Sequence, residues 1–471
     1  MIEFKDKNIF FSARGEKIEK EELVRYFIQN EAVMVDTVEE ASMIIQGYMT
    51  PVHLEDRFYL LSKEGIEVVS IEDIEKQFST HLDIDSIIMA IKISKDKQRL
   101  TKLLRNKYFS DEIFVTLLKY YDWEGEGLHD TDENRDISTQ IVSRFCTLQE
   151  SNHNIQHSPI GVYYTALETT NGKLLESIFN MPNYSISDKN AKENQPLTLK
   201  EVTALNPNTP KPVLIQILKN KNKDELKFLA LNQSINKMIS NKLFDLNETT
   251  IKTNLIISGN ISTENLKDAL KDEDLKNKAL KYIPLSNERF DTLVSQELTP
   301  VQIVYLSSNN TLNKEQITYL TKLNIENANI NLLKNSECPK EIIEKFFHMN
   351  DLVYNIAISH NENLEAKKYQ TLYELEDLNI DISLGYNTST PQEILKKLYE
   401  KDDENINLSL AQNTNTPINI LMQIQIDSRY NSLVSNNETY KEFSRNNLGI
   451  IQDRNSRFKR AVYDQADDFW D

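Results

Sequence analysis

Few residues in this chain combine the types and spacing that chemistry needs. The nearest approach to a ligand set is Asp130-Thr-Asp-Glu-Asn-Arg-Asp136, preceded by His129. Asp130, Asp132, Asn134 and Asp136 fall at positions one, three, five and seven of a calcium loop, where oxygen donors suit a hard cation. The loop fails at its two decisive places. Position six needs Gly for a sharp turn and has Arg135, and position twelve needs a bidentate Glu and has Ile141. His129 among these acids would suit a transition metal, but a surface loop has the same composition. There is no G-x-S-x-G, no Gly-rich phosphate loop and no His-x-x-x-His spacing. Seven His and ten Gly are scattered through 471 residues. The sequence therefore points away from an enzyme and offers no cofactor or metal motif.

The remaining candidates are contact residues. Lys92, Lys95, Lys97, Arg99, Lys102, Arg105 and Lys107 face only Asp96 within residues 92–107, and Ile93, Leu100, Leu103 and Leu104 give the run an apolar side. A basic amphipathic helix here would meet nucleic acid, an anionic membrane surface or an acidic partner, or would be a solvated face offsetting acidic neighbours. At the other end the chain reads Asp467-Asp-Phe-Trp470 after the basic Arg454–Arg460. Phe469 and Trp470 fit two readings: a cap packed on preceding helices, or an anchor docked in a partner's basic groove.

The bulk numbers bound the setting. A formal net charge of −18 disfavours a dedicated nucleic-acid binder, which must neutralise phosphates. A mean hydropathy of −0.51 describes a water-soluble chain. No apolar run approaches the ~20 residues of a membrane span, and the first residues carry no secretory pattern. Two cysteines, Cys146 and Cys338, build no disulfide framework. A cytoplasmic protein of two to four domains is the expectation.

What positions these residues is a repeat. Asn206-Pro-Asn-Thr-Pro210, Asn335-Ser-Glu-Cys-Pro339, Asn387-Thr-Ser-Thr-Pro391 and Asn413-Thr-Asn-Thr-Pro417 are near copies. Looser ones start at Asn232, Asn260, Asn309, Asn361 and Asn436, with Pro284 in phase, at intervals of 23 to 28 residues. Thr-Pro reads as a helix start, with the hydroxyl as cap and Pro at the first helical position. Asn suits a left-handed or turn conformation. Apolar residues follow at one-face helical spacing: Val213, Leu214 and Ile217; Ile342, Ile343 and Phe346; Ile394, Leu395 and Leu398; Ile420, Leu421 and Ile424. A second set, including Leu229, Ile257, Leu332, Leu384 and Leu433, precedes each Asn by three. Neighbouring units must stack to bury such faces.

This pattern resembles the variant leucine-rich repeat family over roughly residues 200 to 450. The resemblance implies a right-handed α-solenoid of alternating α and 3₁₀ helices. Where that family often has Arg in its second segment, this chain has Asn355, Asp381 and Asn407. Thr299-Pro300 falls out of phase, which marks an irregular unit.

Residues 1–80 alternate short apolar runs with amphipathic helices, as in a parallel sheet flanked by helices. Asn8–Ser12, Val68–Ser70 and the runs at 32–35 and 42–46 read as strands; Lys20–Asn30, Leu54–Glu64 and Ile71–Phe78 read as helices, with Gly65 as a stop. The order Ile9–Ser12, Asn30–Val35, Ser42–Ile45 and Gly65–Ser70 resembles a BRCT domain, a protein-interaction module. The resemblance implies a phosphate-binding pair at Ser12 and Arg57, although Ala13 stands for the expected Gly and Asp73 or Ile74 for the expected Trp. The segment is acidic, with nine basic against seventeen acidic residues.

The expected organisation is a BRCT-like α/β domain at 1–80, a helical connection with the basic helix at 81–200, helical repeats at 201–450 and a charged tail at 451–471. Asn183–Pro196 reads as the linker into the repeats. The functional expectation is a non-enzymatic scaffold that binds proteins along its helical surface; nucleic-acid association in repair or replication is the alternative.

Overall fold

A computed structural model describes residues 2–12, 18, 20–80, 84–125, 127–128, 130–146, 159–186 and 195–448. The chain is mainly helical, with one small parallel sheet, and divides into two compact units, Met1–Ser234 and Ile235–Asp471.

The first unit opens with β1 (Asn8–Ser12), α1 (Lys20–Gln29), β2 (Val33–Val35), a 3₁₀ turn (Val38–Glu40), β3 (Met43–Gln46), α2 (Val52–Lys63), β4 (Glu67–Ser70) and α3 (Ile71–Thr80). The four strands are parallel in the order β2-β1-β3-β4, with Ile9 opposite Met34 and Met43, and Ile44 opposite Val68. Parallel strands need crossovers, and helices between them bury both faces. One face packs Phe11, Leu23, Phe27, Met43, Ile45 and Ile74; the other packs Ile44 and Phe58. Gly65, at φ +100°, ends α2 in a conformation that favours glycine. Buried Glu75 on α3 accepts from the Ile18 amide at 3.1 Å and the Tyr48 hydroxyl at 2.7 Å, fixing two connections to the sheet.

The basic run is two helices rather than one. α4 (Ile84–Ser94) stops at Lys95, which is left-handed at φ +53°, and Asp96 then caps α5 (Lys97–Leu104) by accepting the Arg99 amide. The sequence pattern hides this break, because apolar spacing carries no sign that Asp96 serves as a cap.

Helix pairs make up most of the other described residues of each unit. Each pair consists of two α-helices of mostly seven to ten residues; the second segment is α-helical, where the family resemblance implies 3₁₀. The second helices pack on one another in succession, as Glu326–Lys334, Leu352–Ser359, Leu378–Tyr386 and Glu404–Gln412 show.

A side-chain ladder ties the pairs together. Asn387 Nδ2 donates to the carbonyls of Ser359 and Asn361 at 2.8 and 2.9 Å, and its Oδ1 accepts the Ser389 amide. Asn361 and Asn413 repeat this geometry, each reaching carbonyls 28 and 26 residues back. In the first unit Asn232 reaches Ala204 and Asn206, while Asn206 reaches Ala166 and Thr169. Each of these buried amides is thus satisfied on both ends, and each satisfies carbonyls that a helix end leaves bare. The asparagines are extended rather than left-handed: Asn387 has φ −70° and ψ 113°. The left-handed residues lie instead between the two helices of a pair, at Lys221, Asn247, Asn324, Asn350, Glu376 and Asp402.

The Thr-Pro reading needs the same kind of correction. Thr209, Thr390 and Thr416 are buried and donate backwards, to the carbonyls of Thr203, Leu384 and Leu410 at 2.6 to 2.8 Å. They close the preceding helix. Pro210, Pro391 and Pro417 themselves stand at the N-cap, with no side-chain cap bond. Only the out-of-phase Thr299 caps as expected, accepting the Gln302 amide with Pro300 at the first helical position.

Two register shifts follow. Near the end of the ladder the rung is Asn437, which reaches Ala411 and Asn413, and not Asn436. Val434, not Leu433, is fully buried, and likewise Ile256 rather than Ile257. Where the pattern has Ile283-Pro284 in place of Asn, Arg289 stands in, donating to Pro284 at 2.9 Å and across to Gly259 at 2.6 Å. The stack also begins earlier than position 201, since Asn206 already clasps the end of the helix Pro159–Glu168. Of the polar 183–196 segment, residues 187–194 lie outside the described residues; Ser185 forms an antiparallel bridge with Thr198.

Asn437→Ala, which strips donors from two buried carbonyls, should lower stability by about 2 kcal/mol. Asn436→Ala, at an exposed neighbour, should change it by less than about 0.5 kcal/mol. Urea unfolding of the two variants checks the register directly.

Candidate interaction surface

The two residues expected to hold phosphate sit in the N-terminal sheet. Ser12 ends β1 beside Gln46 of β3, and its carbonyl accepts the Gly47 amide. Arg57 lies on α2 and ion-pairs with Glu39 in the 3₁₀ turn. Glu39 is held below the usual carboxylate range, first by its backbone hydrogen bond and also by Arg57. The guanidinium is thus engaged on the Glu39 side.

The basic residues of 92–107 also have partners within the chain. Lys92 lies over the Tyr120 ring, and Lys97 pairs with Glu124 at 3.2 Å and lies over Tyr121. Arg99 forms a largely buried pair with Glu22 of α1. Arg105 pairs with Asp136, and Lys107 with Glu72 at 3.3 Å. Lys95 is exposed at the break, and Lys102 is exposed on α5. Arg99 and Glu22 also line an open cleft of about 730 Å³ with Arg25, Tyr26 and Gln77.

The acidic stretch 130–136 does not form a cage. Asp130 accepts the Gly127 amide, and the helix Asp132–Phe145 starts under the Thr131 cap. Asn134 is fully buried, accepting from the Tyr121 hydroxyl and donating to the Glu124 carbonyl. Among the described residues no group of three or more His, Cys, Asp or Glu is placed to hold a metal ion. His129 lies outside the described residues, as do Asp467, Asp468, Phe469 and Trp470.

The more informative surface belongs to the second helices of the later pairs. Leu352, Val353 and Leu378 are exposed at their starts, and Ile330, Ile356, Ile382 and Leu408 lie half-buried one turn on. Behind them runs a polar row, Asn329, Asn355, Asp381 and Asn407, at an interval of exactly one repeat. Asn329, Asn355 and Asp381 are all but fully buried, and the Oδ1 of every member lacks a hydrogen-bond partner. Asn355, Asp381 and Asn407 are noticeable in the sequence as replacements for an expected Arg; Asn329 is not, because nothing in its own repeat distinguishes it from other asparagines.

No family model matches this chain, and no curated protein or solved structure matches it either. Small residues behind the row bring the helices close. A Cβ on Gly385 would meet Ser409 Oγ at 1.9 Å, so the neighbouring second helix leaves no room for one. Asp381 is the exception in the row, because its Oδ2 accepts Lys401 Nζ at 2.5 Å. Burial nevertheless raises its carboxyl above the usual range, with Lys401 opposing that shift.

A carboxyl whose folded pKa is raised costs stability above that pKa and costs nothing once both states are protonated. Asp381→Asn should therefore stabilise the protein at pH 7, and the gain should vanish as the pH falls below 3.8, the unfolded value. Thermal melts across that range read the effect. In the first unit, Arg99→Ala leaves Glu22 buried and unpaired and should cost about 3 kcal/mol. Lys95→Gln should cost less than about 0.5 kcal/mol in the same urea titration.

Proposed function

We propose that this protein is a non-enzymatic scaffold that binds other proteins along its helix pairs. The observation that carries this reading is the repeated, partly apolar exposed face of the second helices, built on a row that recurs every 26 residues. Large exposed apolar side chains at matched positions of adjacent units are the mark of a contact surface. Repeats that bond only to their neighbours extend such a surface without a central cavity. The recurring helix pair and its Asn ladder support the variant leucine-rich repeat reading and its solenoid geometry. The strand order β2-β1-β3-β4, with a helix after β1, β3 and β4, supports a BRCT-like interaction domain at the N-terminus.

A cytoplasmic location belongs to the same proposal. Both cysteines are free thiols, and burial pushes Cys338 up to about 12, which keeps it inert as a nucleophile. No helix among the described residues is long and apolar enough to cross a membrane. Nucleic-acid association through the 92–107 run is the weaker proposal, because most of its cations already serve contacts within the chain.

Affinity purification of the tagged full-length protein from its native cells tests the scaffold reading. A protein partner should co-purify in fixed proportion, and Leu352→Ser with Leu378→Ser should reduce its yield at least about fivefold. Recovery of no partner above background overturns the reading.

A further inference from the structure

The scaffold reading leaves the partner's chemistry open; the inference drawn next rests on that reading and supplies it. One member of the buried row has already been answered by the chain itself, since Asp381 takes Lys401. Lys401 stands twenty residues later, in the turn between Gln392–Tyr399 and Glu404–Gln412. The residues twenty after Asn329 and Asn355 are Met349 and Leu375, in the two preceding turns, exposed at 50% and 40%. Where the row carries Asp, the next turn supplies a cation. At Asn329 and Asn355 the next turn supplies exposed hydrocarbon, and the amide oxygen behind it has no donor; at Asn407 the corresponding residue is Asp427, itself paired with Arg429.

These turns form one edge. Leu323 continues the series one repeat earlier, and Leu352, Val353 and Leu378 open the helices beside it, all between 42% and 48% exposed. The rim is acidic at its two central turns. Residues 348–352 and 374–378 contain Asp351, Glu374, Glu376 and Asp377 with no Lys or Arg, whereas the flanking turns carry Lys322 beside Leu323 and Lys401 beside Glu400. Carboxylates interleaved with exposed aliphatics repel nucleic acid and attract a cationic chain that also carries apolar residues.

We propose that this edge docks a basic amphipathic segment of a protein partner. Its apolar side chains cover Met349, Leu352, Leu375 and Leu378, and its Lys or Arg residues lie between the carboxylates. One cation displaces the Leu375 side chain and donates to Asn355 Oδ1, as Lys401 donates to Asp381. A charged donor is the group that a buried, unpaired acceptor most lacks.

The test titrates the full-length protein with a fluorescein-labelled helical peptide of Lys and Leu, and with the same peptide carrying Glu for Lys. The Lys peptide should bind, with affinity falling about tenfold as the Debye length shrinks from ~14 Å to ~6 Å. Met349→Ser with Leu375→Ser should weaken binding about tenfold. Glu374→Lys with Glu376→Lys should weaken it similarly and flatten the salt response. Glu337→Lys, outside the edge, should change nothing. All the altered side chains are exposed, so unchanged circular dichroism and melting confirm the fold; Asp351 and Asp377 are left alone because they cap helices. Equal binding of the Glu peptide, absence of binding, or edge variants that bind like the parent overturns the proposal. If the edge variants still retain the partner recovered from cells, the edge assignment falls while the scaffold reading stands. Recovery of no partner brings down both.

Discussion

The bond from an asparagine amide to two carbonyls of the preceding helix pair is the constraint on which the repeat region depends. A helix end leaves carbonyls without partners, and a stack of short helices accumulates them in its interior. Leaving such groups bare costs far more than a single hydrogen bond contributes. Asn solves the problem because its amide has two donors and one acceptor, matching two carbonyls behind and one amide ahead. The backbone path is therefore fixed by a side chain, and the spacing of about 26 residues follows from the need to bring each amide back to the same place. Arg289 shows that the requirement is for donors of sufficient reach and not for one residue type.

Much of this was legible. The period, the helix-forming stretches and nearly all of the apolar core positions follow from spacing alone, because burial of one helical face imposes it. What each polar letter does was not legible. Asn387 and Thr390 look like local turn and cap residues, yet the partners of the asparagine lie in another repeat, and the threonine looks back across the turn. Local propensity describes a residue's nearest neighbours, whereas these contacts are set by stacking. The register errors at Asn436 and Leu433 have the same origin: two adjacent asparagines offer no local reason to prefer either, and only the carbonyls of Ala411 and Asn413 decide.

The candidate surfaces divide along similar lines. Ser12 and Arg57, and the run from Lys92 to Lys107, stand out by charge or chemistry, but charge in a sequence carries no record of what will neutralise it. Glu22, Glu39, Glu72, Glu124 and Asp136 do so for several of those cations from well separated positions. The buried row was half visible, since Asn355, Asp381 and Asn407 stand out against a related pattern. Its meaning lies in contacts between turns and helices that spacing does not show: Lys401 meets Asp381, and Met349 and Leu375 occupy the corresponding places for Asn329 and Asn355.

The asparagine ladder also has a direction. At Asn232, Asn361, Asn387, Asn413 and Asn437 the amide faces the preceding pair. The two ways of shortening the stack are therefore not equivalent. A chain cut after any rung keeps every earlier clasp closed, whereas one that starts midway opens with an amide that has no carbonyls to hold. The architecture is vectorial: it can be completed unit by unit from its amino-terminal side, and it tolerates loss more readily from the opposite end.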